Sequence, residues 1–230
     1  MTNLRARFFD SLKTRPVIAG LRDGAGVEAA IQHGVAVLFI IGGDIFGLQE
    51  SVAKAHAQGR LILAHVDLIK GVGRDDAGVR FLAKHVGIDG MMTTRANLIS
   101  PAKREGLIAV QRLFLLDSES LAAGLPTVQK AAPDALELLP GVILPTVVQQ
   151  LTERGPLPPL IAGGLIRTRA QVDAILGAGA VAVSTSERSL WGYPRPESPG
   201  SPAPPKEAVT PSSAGAPRRA GGARGDPKTR

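Results

Sequence analysis

LIAGGLIRTRAQVDAILGAGAVAVSTSERSLW, residues 160–191, decides the fold. A short apolar run (Leu160–Ala162) is closed by the pair Gly163 and Gly164. An amphipathic stretch (Arg169–Gly177), a second apolar run (Ala180–Val183) and the hydroxyl run Ser184–Ser186 follow. Both apolar runs are hydrophobic on two faces rather than alternating, the pattern of parallel strands covered on both sides. One helix length separates them, so the segment reads as strand, helix, strand.

The same unit recurs upstream. Further strands are predicted at Val17–Leu21, Val35–Ile41, Leu61–Val66, Ile88–Met92, Leu107–Leu113 and Ala135–Leu139. Helical spacing is predicted over Glu28–Gln32, Ile45–Gln58, Asp75–His85, Ala96–Glu105, Ser118–Ala131 and Thr146–Arg154. Gly34, Gly59, Gly87, Gly106 and Gly179 fall just past helix ends, where glycine supplies a left-handed cap. Strands recur about every 20–27 residues, one βα unit. Eight units argue for a (β/α)8 TIM-type barrel over residues 1–191, with an eighth helix reduced to little more than Glu187–Trp191. The rival is an open doubly wound sheet. No GxGxxG follows the first strand, and eight strands in so short a span suit closure better.

The composition shifts after Trp191. Residues 192–230 hold nine of the 18 prolines and seven Lys/Arg against three Asp/Glu, a net +4 of the chain's +7. Almost no aliphatic residue lies there to offset ordering entropy, so 192–230 is expected to be a Pro/Gly/Arg-rich disordered tail. It is either a solubilising tail or, through its Arg/Gly end, an RNA-binding arm. The 230-residue chain is 44% hydrophobic but only 3% aromatic, so Val, Ile, Leu and Ala must fill the core. It has no cysteine, which excludes disulfides, thiolate zinc sites and a cysteine nucleophile. The N-terminus, MTNLRARFFDSLKTRP, has no apolar signal-peptide region, and no run is long enough for a membrane span. A cytoplasmic protein without membrane attachment is expected.

In a barrel, function lies where strands end at the C-terminal face. The residues expected there are Arg22 and Asp23, Gly42 to Asp44, His65 to Asp67, Thr93 to Arg95, Gln111 and Arg112, Glu137 with Pro140 and Gly141, Gly163 and Gly164, and Ser184 to Ser186. Gly163 and Gly164 allow close approach of backbone N–H groups to an anion, and Ser184, Thr185 and Ser186 add hydroxyl donors at a helix start. Together they match the phosphate site common after strands seven and eight of barrels. The alternative is a tight turn at the glycines with Ser184 or Thr185 as an N-cap. A carboxylate at Glu187 opposes a phosphate dianion unless it turns away or pairs with Arg188. His65 and Asp67 share a strand face and could orient a hydroxyl, serve acid–base chemistry or bind a metal with a third partner. His33, His56 and His85 fall on or near helices, so no metal-ligand set converges and neither metal nor cofactor is expected. Glu137, in the apolar strand ALELLPG, needs a partner when buried. Arg112 on the preceding strand is the candidate, either as a structural pair or as part of a ligand site with Gln111.

The stretches AHVDLIKGVGRD (64–75), MMTTRANLI (91–99), AVQRLFLLDS (109–118), LELLPG (136–141), LIAGGLIRT (160–168) and VSTSERSLW (183–191) resemble the glycerol uptake operon antiterminator regulatory proteins. The resemblance runs from about Pro16 to Trp191, in order; the QRLFLLD segment and the STS-x-x-x-LW ending are its most specific parts. It implies a phosphate-binding barrel that is a regulator rather than an enzyme. Its effector would be glycerol-3-phosphate, and the liganded protein would act on the leader mRNA of a glycerol-utilisation operon to prevent termination. Gly163, Gly164, Ser184, Thr185 and Ser186 would hold the phosphate. From rim position, His65, Asp67, Gln111, Arg112 and Glu137 would address the glycerol hydroxyls.

RNA binding needs a basic face. Arg22, Lys70, Arg74, Arg95 and Arg167 are the foremost candidates, and Arg80, Lys103, Arg104, Arg112 and Arg169 are further ones, several of the ten on predicted rim loops. Only eight aromatics exist, and few fall on predicted loops, so recognition is expected to lean on phosphate contacts, arginine stacking and RNA shape. The competing reading is a small barrel enzyme acting on a phosphorylated triose, with His65 or Glu137 as acid or base. The rim surfaces would equally suit a homo-oligomer.

Overall fold

The computed structural model describes residues 3–195. Eight strands form a closed, all-parallel barrel in sequence order: β1 Val17–Leu21, β2 Val37–Ile40, β3 Leu61–His65, β4 Gly90–Thr93, β5 Ile108–Phe114, β6 Ala135–Leu139, β7 Leu160–Gly163 and β8 Ala182–Thr185. Closure comes from β1 pairing with β8, Val17 opposite Val183 and Ala19 opposite Thr185.

Alternation along the strands creates two cores. One face of each strand fills the barrel, where Ile18, Val37, Phe39, Leu61, Leu63, Met92, Val110 and Ile161 meet. The other face packs Ala19, Leu38, Ile62, Ala109, Leu136 and Val183 against the helices outside. Both faces are therefore apolar, the reason the strands read as continuous hydrophobic runs.

The chain begins with a helix that stands outside the βα repeat. α1, Leu4–Thr14, starts at Asn3, whose side chain accepts from the Arg5 N–H. Phe8 and Leu12, one turn apart, are fully buried among the interior residues and close the bottom of the barrel. The outer helices are α2 Val27–Gln32, α3 Ile45–Ala57, α4 Asp76–Phe81, α5 Ile99–Arg104, α6 Ser118–Ala131, α7 Leu144–Glu153 and α8 Arg169–Gly177. Asp44, Asp75 and Asp117 cap α3, α4 and α6, and Thr168 with Gln171 forms a reciprocal capping box on α8. Gly34, Gly59, Gly87, Gly106 and Gly179 all have positive φ, as helix-ending glycines should.

Several predicted boundaries shift. β2, β4 and β8 begin two residues later than their apolar runs, because Val35, Ile88 and Ala180 are buried under helices before the ladder starts. The predicted helix Asp75–His85 is α4 followed by a wider π-helical turn, Leu82–Val86. In place of an eighth outer helix stands a 3-10 turn, Arg188–Leu190. Residues 192–195 belong to the folded body: Tyr193 donates to Asp173, and Arg195 Nη2 donates to the Val181 carbonyl at 2.6 Å. The tail expected at 192–230 otherwise lies outside the described residues.

Candidate functional site

The C-terminal mouth of the barrel holds a cavity of about 380 Å³. Its lining comes from β1 and the end of β2 (Gly20, Ile41), from β5 and β6 (Arg112, Glu137, Leu139), and from the two loops after β7 and β8 (Gly164–Arg167, Ser184–Glu187). Six of the ten predicted pocket residues line it: Gly164, Ser184, Thr185, Ser186, Arg112 and Glu137.

Its floor is a buried polar triad. Arg112 Nε donates to Glu137 Oε2 at 2.7 Å, and Ser184 Oγ donates to Glu137 Oε1 at 2.6 Å. Glu137 is fully buried and Arg112 nearly so. Strand register makes this meeting possible. Arg112 and Glu137 are directly opposite on β5 and β6, and Gly163 is opposite Ser184 on β7 and β8. Gly163 lies between them, and a Cβ there would sit 2.6 Å from Ser184 Oγ and 2.7 Å from Glu137 Oε1. Gly163 is thus the space through which Ser184 reaches Glu137.

This arrangement redistributes the expected phosphate donors. The Ser184 hydroxyl is engaged by Glu137. Thr185 Oγ1 donates to the Ile166 carbonyl at 2.8 Å and accepts from the Glu187 N–H, tying the β7 and β8 loops together. The backbone N–H groups of Gly164, Leu165 and Ser186 meet no acceptor among the described residues. Gly164 and Leu165 are consecutive left-handed residues, φ +82° and +61°, a conformation ordinary for glycine and strained for leucine. Arg167, expected on an RNA face, lines the cavity as well. The Glu187 carboxylate accepts from the hydroxyl and N–H of Ser189. Those bonds, helped by Arg167, hold it below the usual carboxylate range. Arg188 is not its partner; that guanidinium lies over the Trp191 ring.

Besides Gly163, three predicted pocket residues stand apart from the lining. Gln111 lies on the opposite face of β5 from Arg112, toward the helices, because alternation sends neighbours to opposite sides. Its Oε1 is buried without a partner. Asp67 clamps the ends of β3 and β4, accepting from Thr93 Oγ1 (2.9 Å), Thr94 N (2.7 Å) and Thr94 Oγ1 (2.9 Å), with Arg95 Nε at 3.5 Å. Burial pushes its carboxyl up, but these hydrogen bonds outweigh that and hold it below its ordinary value. His65 faces the barrel interior, and its Nδ1 is 3.9 Å from Asp67 Oδ2 and unpartnered. Burial, with the Arg112 guanidinium second, pushes its pKa down to about 4, so the ring is neutral at pH 7.

The sequence profile described as glycerol-3-phosphate responsive antiterminator matches residues 17–191, the barrel from β1 to its closing tryptophan. The chain belongs to this antiterminator family. It is similar to the crystallised glycerol uptake operon antiterminator regulatory protein of Listeria monocytogenes, at 36% identity and TM-score 0.71, covering 76% of this chain and 94% of that one. A glycerol uptake operon antiterminator-related protein of Thermotoga maritima aligns at 29% identity and TM-score 0.68, covering 77% and 98%. The uncharacterized Escherichia coli K12 protein YgcP is 33% identical over 180 residues, 78% of this chain and 93% of the relative. Each matched span stops short of the whole chain, which is longer than the antiterminator barrel alone.

The rim of this antiterminator-family barrel also carries the five predicted basic residues, all exposed. Arg22 follows β1, Lys70 and Arg74 follow β3, Arg95 follows β4 and Arg167 follows β7. Arg80, Lys103 and Arg104 lie instead on the outer helices, engaged with Glu105, the Ala132 carbonyl and Asp76.

Proposed function

We propose that this antiterminator-family protein senses glycerol-3-phosphate in the mouth cavity and, when liganded, binds the leader mRNA of a glycerol-utilisation operon through its rim. The observation that carries the reading is the pair of loops after β7 and β8. Gly164, Leu165, Arg167 and Ser186 line one cavity, and the N–H groups of Gly164, Leu165 and Ser186 have no internal acceptor among the described residues. Donors held by the fold with no internal acceptor suit a phosphate dianion. The Arg112–Glu137 pair beneath them offers polar groups to the glycerol hydroxyls.

A catalytic use of the same cavity would need a free base. Glu137 has both oxygens engaged, the Glu187 carboxylate is held by the Ser189 hydroxyl and N–H, and His65 lies outside the lining. That favours binding without turnover.

The test is calorimetric titration of the full chain with glycerol-3-phosphate, glycerol and inorganic phosphate, followed by RNA retention with and without ligand. The reading expects glycerol-3-phosphate to bind more tightly than either fragment, to be recovered unchanged, and to strengthen RNA binding. Conversion of the ligand, or RNA binding indifferent to it, would overturn the proposal.

A further inference from the structure

The barrel mouth is unlike the rest of the surface in two ways. Among the described residues six large apolar side chains are exposed, and five of them stand at this one end: Phe46, Leu68, Phe114, Leu116 and Leu165. Phe81, on α4, is the sixth. Phe46 occupies the first turn of α3 and is 76% exposed, its backbone N–H held by the Asp44 cap. Phe114 ends β5 on the side of Arg112 and is 46% exposed. Solvent-facing rings held by well-formed elements bury little in this chain, and clustered apolar exposure of that kind marks an interaction surface.

Charge is the second difference. The loop carboxylates of the mouth serve as caps: Asp23, Asp44, Asp75, Asp117 and Glu187 each accept from a backbone N–H. The Arg22, Lys70, Arg74 and Arg167 side chains have no carboxylate partner within 4.0 Å among the described residues, whereas on the outer helices Lys54, Arg80 and Arg104 are paired. Capping thus ties these carboxylates to backbone donors, while the four cations stand without a carboxylate partner among the described residues.

We infer that Phe46 and Phe114 are base-stacking residues for single-stranded RNA laid across the barrel mouth, an inference that rests on the RNA-binding reading above. Aromatic faces interleaved with unpaired cations suit a polyanion that carries flat apolar rings. A duplex hides those rings inside its stack, so the strand must be unpaired where it meets the phenylalanines. A second copy of this chain is the poorer occupant. A two-fold contact through this face would gather two sets of Arg22, Lys70, Arg74 and Arg167 into one interface. The sequence reading counts few aromatics on loops; the fold sets Phe46, in the first turn of α3, and Phe114, the last residue of β5, at the mouth.

The experiment uses the full chain and a short randomised RNA pool, enriched by filter retention in the presence of glycerol-3-phosphate. Phe46→Ala and Phe114→Ala should each weaken the enriched RNA by about 5- to 150-fold, with the salt dependence unchanged. Phe46→Trp and Phe114→Trp should retain binding. An Arg22→Ala, Arg167→Ala double variant should bind less and with a shallower salt slope. Nuclease footprints should show protected nucleotides that are unpaired in the free RNA. Alanine variants that bind like the parent while the arginine variant weakens would overturn the stacking inference and leave the RNA reading standing. Protection confined to duplex would also overturn it. A Phe46→Ala chain that changes sedimentation rather than RNA affinity would assign the surface to protein. If the parent retains no RNA with ligand present, the RNA reading itself fails.

Discussion

Replacing Arg112 by methionine separates the two roles open to the Arg112–Glu137 pair. The guanidinium holds one oxygen of a fully buried carboxylate at 2.7 Å, and Ser184 holds the other at 2.6 Å. Arg112→Met leaves that carboxylate with a single hydroxyl donor and no countercharge. Removing one partner of a buried ion pair costs about 3–5 kcal/mol. At roughly 2–4 °C per kcal/mol for a domain of this size, the melting temperature should fall by about 6–20 °C. Arg112→Met with Glu137→Met removes both charges, and an apolar replacement of a buried pair is often neutral, so most of that loss should return. Thermal unfolding followed by circular dichroism reads both variants. A single-variant loss below about 1 kcal/mol would refute the reasoning, since it would mean that water already reaches the pair. Titration of the restored double variant with glycerol-3-phosphate then decides the role. Undiminished binding would make the pair a structural strut. A stable barrel that no longer binds would make it part of the ligand site.

Other outcomes follow from the same geometry. His65 has its folded pKa lowered from 6.5 to about 4, so the unfolded chain binds the extra proton in that window. Stability should therefore be complete above pH 6.5 and decline toward pH 4, by at most about 3 kcal/mol; His65→Leu should flatten that window in acid-melting curves, and a ring titrating near 6.5 by NMR would refute the burial argument. Phe8→Ala empties the plug at the bottom of the barrel and should cost about 3–5 kcal/mol, read as a lower denaturant midpoint with the slope unchanged. Leu165→Gly should be neutral or stabilising by about 1 kcal/mol, because its side chain is exposed and its φ is left-handed, while Leu165→Ala keeps the strain. Equal melting temperatures for the glycine and alanine variants would show that the loop relaxes.

The barrel was legible because parallel strands buried on both faces leave long apolar runs, and because the same short unit recurs. Strand starts were less so: Val35, Ile88 and Ala180 are apolar for helix packing, not for the ladder. α1 has a readable signature, an Asn3 cap and leucine–phenylalanine–leucine spacing at positions 4, 8 and 12, but a plug helix has no place in the βα repeat, so the repeat does not point to it. The cavity was legible at Gly164 and Ser184–Ser186 from their place at the ends of the last two strands. Gln111 could have been set apart, since Arg112 beside it must face the other way. The engagement of Ser184 by Glu137 and of Thr185 by Ile166 was not legible. Each contact joins residues on different strands and loops and depends on a register that closure alone determines.

Residues 164–167 belong to the cavity and to the rim at once. Gly164, Leu165 and Arg167 line the cavity, while Leu165 and Arg167 are also exposed beside the basic loops. On the proposed function, a phosphate taking the N–H groups of Gly164 and Leu165 fixes the backbone from which Leu165 and Arg167 project toward RNA. The two binding events then share one element, and their coupling must be reciprocal: whatever factor glycerol-3-phosphate adds to RNA affinity, RNA adds to glycerol-3-phosphate affinity. A coupling of 1–3 kcal/mol, the usual range, corresponds to about 5- to 150-fold in each direction. Titrating the ligand into the free protein and into the RNA complex checks this directly. Leu165→Gly loosens the shared segment without touching Arg112 or Ser186, so it should lower the coupling more than either affinity alone. Equal coupling in the parent and the glycine variant would place the link elsewhere in the barrel mouth.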